Sequence, residues 1–173
     1  MKCMDLLRQD DQIILRSLYV LESMIETDDS ERIDQDDAET LVRFLRAFAD
    51  EHHHVKEENM LFPELMRTHQ SQGGPMRHLL LEHNQERSLV EGLDAALHSG
   101  KNSDVALFAN RLADRVRAHI QKEDGVLFCI IDVLITSDLD DKVSRDFEKC
   151  KLEEGLLDDL RRLESKYLSK TAP

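Results

Sequence analysis

Apolar residues recur at three- and four-residue steps through almost every segment of this 173-residue chain, and only 6 Gly and 3 Pro interrupt them. That spacing lays apolar side chains along one face of an α-helix, whereas a half-buried strand needs strict alternation. The chain is therefore expected to be all-α. A first helix is expected from about Met4 to Ile25, with Leu7, Ile14, Leu18, Leu21 and Ile25 on one stripe. Asp11 falls on that same stripe, and a polar stretch from Glu26 to Asp34 follows.

Asp36 or Asp37 is placed to cap a second helix, in which Leu41, Phe44, Leu45 and Phe48 lead into HHHVKEENMLFPELM. Gly73-Gly74-Pro75 marks the turn into a third, with Pro75 suited to its first turn. Met76, Leu79, Leu80, His83, Val90, Leu93 and Leu97 share a face of that helix, which should end near Gly100. A fourth helix is expected from near Ser103, carrying Ala109, Leu112, Val116, His119, Glu123, Leu127, Ile130 and Leu134. Ser137 or Asp138 opens a fifth, running to about Leu168 with Leu139, Val143, Phe147, Leu156, Leu160 and Leu163 and no histidine. Four such helices with short connections predict an antiparallel up-and-down four-helix bundle over about 4–136, with an extra C-terminal packing helix over about 138–168. The whole of 1–173 reads as one domain, since its length lies within the roughly 100–200 residues usual for one.

An internal repeat carries the chemistry. His53-His54-Val55-Lys56-Glu57-Glu58-Asn59-Met60-Leu61-Phe62 in the second helix corresponds to His119-Ile120-Gln121-Lys122-Glu123-Asp124-Gly125-Val126-Leu127-Phe128 in the fourth, both matching H-x-x-K-E-[ED]-x-x-L-F. His and Glu four residues apart lie one turn apart on one face, so an imidazole nitrogen and a carboxylate oxygen can meet one cation. A weaker correspondence links Gln9-Asp10-Asp11-Gln12 in the first helix to Leu81-Glu82-His83-Asn84 in the third.

In the fourth helix His119 and Glu123 sit on the apolar stripe. In the second, Leu41, Leu45 and Phe48 extrapolate to His52, whereas the repeat selects His53 with Glu57. A one-residue slip such as a π-bulge reconciles the two, and His54 with Glu58 stands as the second choice. His69, His78 and His98 lie off these stripes. The bundle would then bury Asp11, Glu57 and Glu123 beside His53, His83 and His119. Burying an unpaired carboxylate costs several kcal/mol, so something cationic must compensate. Lys56 and Lys122 stand one residue off the ligand face and are expected to reach outward. Two divalent ions fit three carboxylates better, and mixed imidazole and carboxylate donors suit iron, manganese or zinc.

The 36 Asp and Glu against 23 Lys and Arg give a net charge of -13, which argues against a nucleic-acid partner, whose binding rests on basic side chains. No apolar run approaches the roughly 18 residues of a membrane span, and the N-terminal MKCMDLLRQDD lacks the apolar stretch of a signal peptide, so a cytoplasmic protein is expected. Cys3, Cys129 and Cys150 form no CxxC and suggest neither disulfides nor a zinc knuckle. No Gly-rich phosphate loop or Ser/His/Asp pattern points to a hydrolase or transferase.

The run FADEHHHVKEENMLFP, the GGP turn followed by LLLEH, and RAHIQKEDGVLF resemble the hemerythrin-like, HHE cation-binding proteins over almost the whole chain, including the acidic fifth helix with Glu153-Glu154-Gly155. The resemblance implies a four-helix bundle holding two non-haem irons, bridged by carboxylates or oxygen, with His53, Glu57, His83, His119 and Glu123 as ligands and Glu57 and Glu123 as the bridges. Two positions depart from the family: Asp11 stands where a first-helix histidine is expected, and Leu79 where oxygen carriers have a further histidine. Fewer imidazoles and one more anionic oxygen favour Fe(III), so metal binding is better supported than reversible oxygen carriage. The functions expected are a diiron binder or sensor of O2, peroxide or NO, or a slow peroxide-consuming catalyst; a store or buffer of iron or another divalent metal; or a structural bundle with a decayed site.

Overall fold

The computed structural model describes residues 2–26, 33–68 and 73–168. Most of the polar stretch expected from Glu26 to Asp34, and His69, lie outside the described residues. Six helices and no strands occur among the described residues. These are α1 (Cys3–Ile25), α2 (35–68), α3 (Gly73–Ser99), α4 (102–134), α5 (Ser137–Phe147) and α6 (Leu156–Tyr167). None of them is long and apolar enough to cross a membrane.

Helix α1 packs on α2 and α4, and α3 packs on α2 and α4, closing a ring of four neighbours. The buried side chains form two apolar clusters. One holds Cys3, Met4, Leu7, Leu61, Phe62, Met76, Leu79, Leu127 and Phe128; the other holds Ile14, Leu18, Leu41, Phe48, Val90, Leu93, Leu112 and Val116. Each fully buried Leu or Phe contributes roughly 1.5–3 kcal/mol relative to exposure. Along α1 and α3 the chain passes from the first cluster to the second, from Leu7 to Ile14 and from Leu79 to Val90. Along α2 and α4 it passes the other way, from Phe48 to Leu61 and from Val116 to Leu127. Between the clusters all four helices contribute polar side chains, and that layer is the candidate site.

Two details differ from the sequence expectation. The N-cap of α2 is Asp34, whose carboxylate accepts the Asp37 backbone N–H at 3.2 Å, so neither Asp36 nor Asp37 is the cap. Asp37 is instead buried in the first helical turn, where it accepts from Arg162 at 2.7 Å, Tyr167 at 2.9 Å and Lys166, tying α6 to α2. The C-terminal segment expected as one helix is two, because its apolar stripes are out of phase. Nine residues separate Phe147 from Leu156, which at 3.6 residues per turn places them about 180° apart on a continuous helix. A break turns both inward. Val143 and Phe147 of α5 enter the first cluster, while Leu156, Leu160 and Leu163 of α6 enter the second. Gly155, with φ of 83°, makes the left-handed turn that starts α6.

Candidate metal centre

The helix α2 is not α-helical throughout. Residues Leu45–His54 form a π segment in which the Val55 N–H reaches Asp50 O, five residues back. The wider turn shifts the buried face by one residue, as the repeat requires, and brings three successive histidines into the interior. His52, His53 and His54 are all buried. A second π segment spans Glu57–Leu61 and a third spans Glu123–Leu127, closed by bonds from Phe62 N–H to Glu57 O and from Phe128 N–H to Glu123 O. The two halves of the sequence repeat thus share one backbone distortion, at the same place, next to the same glutamate.

The three carboxylates expected in the core are there: Asp11, Glu57 and Glu123 have no exposed surface, and none of their six oxygens has a hydrogen-bond partner among the described residues. His53, His83 and His119 surround them. His53 Nε2 lies 3.2 Å from Asp11 Oδ1 and 3.9 Å from Glu57 Oε2. His83 Nε2 lies 3.4 Å from Glu57 Oε2, and His119 Nε2 lies 3.1 Å from both His83 Nε2 and Glu123 Oε1. Ligand atoms of Asp11, His53 and Glu123 lie within 4.8 Å of one another, and so do those of Glu57, His83, His119 and Glu123. Glu123 belongs to both groups, and Glu57 stands between His53 and His83. All six side chains expected from the sequence therefore meet in one layer.

Their electrostatics show what the layer lacks. Burial, reinforced by Glu123 and Glu57, pushes the Asp11 carboxyl well above the usual range despite His53. Glu123 is pushed up by burial and by Glu57. Burial opposes a charge on His53, yet Asp11 and Glu57 raise it to about 10, and Glu123 does the same for His119, also to about 10. Glu57 is held at about 2 by His53 and His83 in spite of its burial. Protons are forced onto imidazoles and carboxyls because no Lys or Arg stands among them. The unpartnered oxygens and inward imidazole nitrogens fit a pair of cations.

A second circle of carboxylates holds the rings. Glu58 Oε1 lies 2.7 Å from His83 Nδ1, Glu82 Oε2 lies 3.0 Å from His119 Nδ1, Asp50 Oδ1 lies 3.4 Å from His54 Nδ1, and Asp10 Oδ2 lies 3.6 Å from His53 Nδ1. The first two are hydrogen bonds of the kind that fixes the tautomer and aim of a ligating imidazole, whereas Nδ1 of His53 and of His54 makes no hydrogen bond among the described residues. Arg87 donates to both Asp50 at 2.6 Å and Glu58 at 2.7 Å; Arg115 and Lys122 hold Glu82. Lys56 departs from expectation. It is buried, donating to Asp10 Oδ2 at 2.6 Å and lying 2.7 Å from His52 Nε2. The π segment that turns His53 inward carries Lys56 with it, and Asp10 neutralises its charge. Lys122, half exposed, does reach outward.

Asp10, Asp50, Glu82 and the buried Glu86 were not singled out from the sequence. Two of them had a signal: the weak correspondence of the first and third helices aligns Asp10 with Glu82, and both are the acids that orient a histidine on the next helix. His98 is exposed and takes no part, and His78, also exposed, touches the layer only through Glu82, at 3.3 Å.

The sequence model of the hemerythrin HHE cation binding domain matches residues 4–131. The chain belongs to this family of cation-binding proteins, and the matched span contains all six buried side chains of the layer. No curated protein and no solved structure gives a significant match to the chain.

Proposed function

We propose that the protein is a dinuclear non-haem iron protein whose metal pair meets a small ligand such as O2, peroxide or NO, and that α1 to α4 form an antiparallel up-and-down bundle around that pair. The alternating passage of the four helices between the two apolar clusters supports the bundle. One observation above all supports the metals: six unpartnered carboxylate oxygens, fully buried, face three imidazoles, two of which, His83 and His119, have their other nitrogen bonded to an outer carboxylate. Asp11 and His53 would hold the first ion and His83 and His119 the second, with Glu57 and Glu123 between them. When bound, two irons supply open coordination and electron exchange for a small ligand. Asp11, a hard anionic donor in place of an imidazole, biases the first position toward Fe(III). Manganese or zinc would suit the same donors. We place the protein in the cytoplasm, without a nucleic-acid or membrane partner.

A ligand-binding role is favoured over storage by a cavity of about 170 Å³ beside the layer. Ile14, Leu45, Ala49, Val90, Leu112 and Val116 give it apolar walls, and His54, Glu86, Asp50, Arg87, Arg46 and Glu91 line the rest. A chamber of that size suits a small molecule. The test is elemental analysis of protein grown with iron, together with its visible spectrum before and after NO or peroxide. Two irons per chain and a spectral response are expected. Fewer than one metal per chain, unchanged by His119→Ala, would sink the reading, and two irons with no response would favour storage.

A further inference from the structure

We infer that His54 is a ligand of the second metal position, a fourth imidazole that makes good the apolar Leu79. The inference rests on the dinuclear reading above, and it adds to the six side chains already named. Helix α3 offers that position one imidazole, His83, because the residue one turn earlier is Leu79, which is buried in the first apolar cluster. The π segment of α2 offers another. By turning two successive residues inward it sends His53 toward Asp11 and His54 toward His83 and His119.

Three observations place His54 with the ligands rather than with the packing. Its ring is buried, and its centroid lies 3.9 Å from that of His83 and 6.1 Å from that of His119. A nitrogen of each of these three residues lies within 4.8 Å of the others. Its surroundings also repeat those of the other three imidazoles. Each of the four has a carboxylate toward Nδ1, from Asp10, Asp50, Glu58 or Glu82, and each turns Nε2 inward, that of His54 lying 3.4 Å from Glu86 Oε2. A histidine serving only to fill space has no need of that arrangement. Arg87, which holds both Asp50 and Glu58, couples the aim of His54 to that of His83.

The rings of His54 and His83 are stacked at an interplanar angle of 11°. Two parallel rings cannot both point a lone pair at one ion, so coordination requires His54 to swing about its Cβ–Cγ bond, a broad and soft torsion. The adjoining cavity leaves room on that side of the ring.

The experiment uses the full chain and ferrous iron alone, added anaerobically against a competing chelator, with X-ray absorption to count imidazoles. The parent should bind two ions. His54→Gln should keep the first ion and weaken the second by at least the tenfold to hundredfold that loss of an outer partner costs, with a fall in imidazole count. His54→Leu, which offers no ligand atom at all, should do the same. Adding Leu79→His to His54→Gln should return the second ion. Two ions bound by both single variants with the parent's affinities and imidazole count would overturn the assignment, as would loss of the first ion alone. A parent that binds fewer than two ions would instead overturn the dinuclear reading, before any His54 variant is made.

Discussion

Replacing Asp11 by Asn should change the sign of its effect on stability according to whether metal is present. The side chain has no exposed surface, both of its oxygens lack a partner, and burial together with Glu57 and Glu123 pushes its pKa well up. An acid whose folded-state pKa lies above its unfolded value loses stability as pH rises from the unfolded value through the folded one. At neutral pH in chelator, the near-isosteric neutral amide should therefore stabilise the fold. Replacing a whole buried ion pair by well-packed hydrophobic residues is neutral or stabilising by about 1–4 kcal/mol; Asn leaves His53 in place, so the gain lies at the lower end, about 1 kcal/mol, and at roughly 2–4 °C per kcal/mol for a chain of this size the melting temperature rises by a few degrees. The gain should vanish below about pH 4, where the acid is protonated folded or unfolded. With metal at about 100 times its dissociation constant, each bound ion stabilises the native state by about 2.7 kcal/mol. Asn is a poor ligand, so Asp11→Asn should forfeit most of that for the first position. Thermal unfolding followed by circular dichroism, in chelator and in excess metal, reads both arms. Equal destabilisation in the two conditions would refute the reasoning, because it would make Asp11 a structural partner and not a ligand.

Two further expectations concern the C-terminal helices. Burial raises the Asp37 carboxyl, but hydrogen bonds from Lys166, Arg162 and Tyr167 outweigh it and hold it at about 2; that lowered value contributes stability above the unfolded pKa near 4, and the contribution is lost as pH falls toward 2. Acid unfolding of Asp37→Asn should accordingly show a smaller loss across that window than the parent, and an unchanged acid limb would count against the network. Gly155→Ala should cost about 1–2 kcal/mol, since the left-handed φ of 83° strains any L side chain although nothing lies within 4 Å of the added Cβ; denaturant unfolding with no change in midpoint would contradict this.

The reach of the sequence can be judged residue by residue. Helical periodicity was enough to place four long helices within about three residues of where they begin, because Leu, Val and Phe recur on one face and little interrupts them. The duplicated motif selected His53, Glu57, His119 and Glu123 although the wheel of the second helix pointed at His52, since a repeat is blind to local backbone pitch. The π segments explain the conflict, but they leave no mark in composition. Lys56 was misjudged for the same reason: one extra residue per turn carried it inward, where Asp10 receives it. The break between α5 and α6 was legible in principle, in the half-turn phase shift from Phe147 to Leu156, and a single long stripe obscured it. Outer carboxylates such as Asp50 and Glu86 were hidden among 36 acids, because only the fold shows which of them face a histidine.

The polar layer cuts the hydrophobic interior into two, and each C-terminal helix fastens one part. The helices α1 to α4 run unbroken through both parts, and the histidine and carboxylate belt lies across all four of them. Within that belt six carboxylate oxygens have no hydrogen-bond partner, so its cohesion should rise when cations bind. The helices α5 and α6 lie across it like a strap, one end under each half. They tie the two ends of the chain to α1 to α4 independently of the belt, and they lie beyond the span shared with the family.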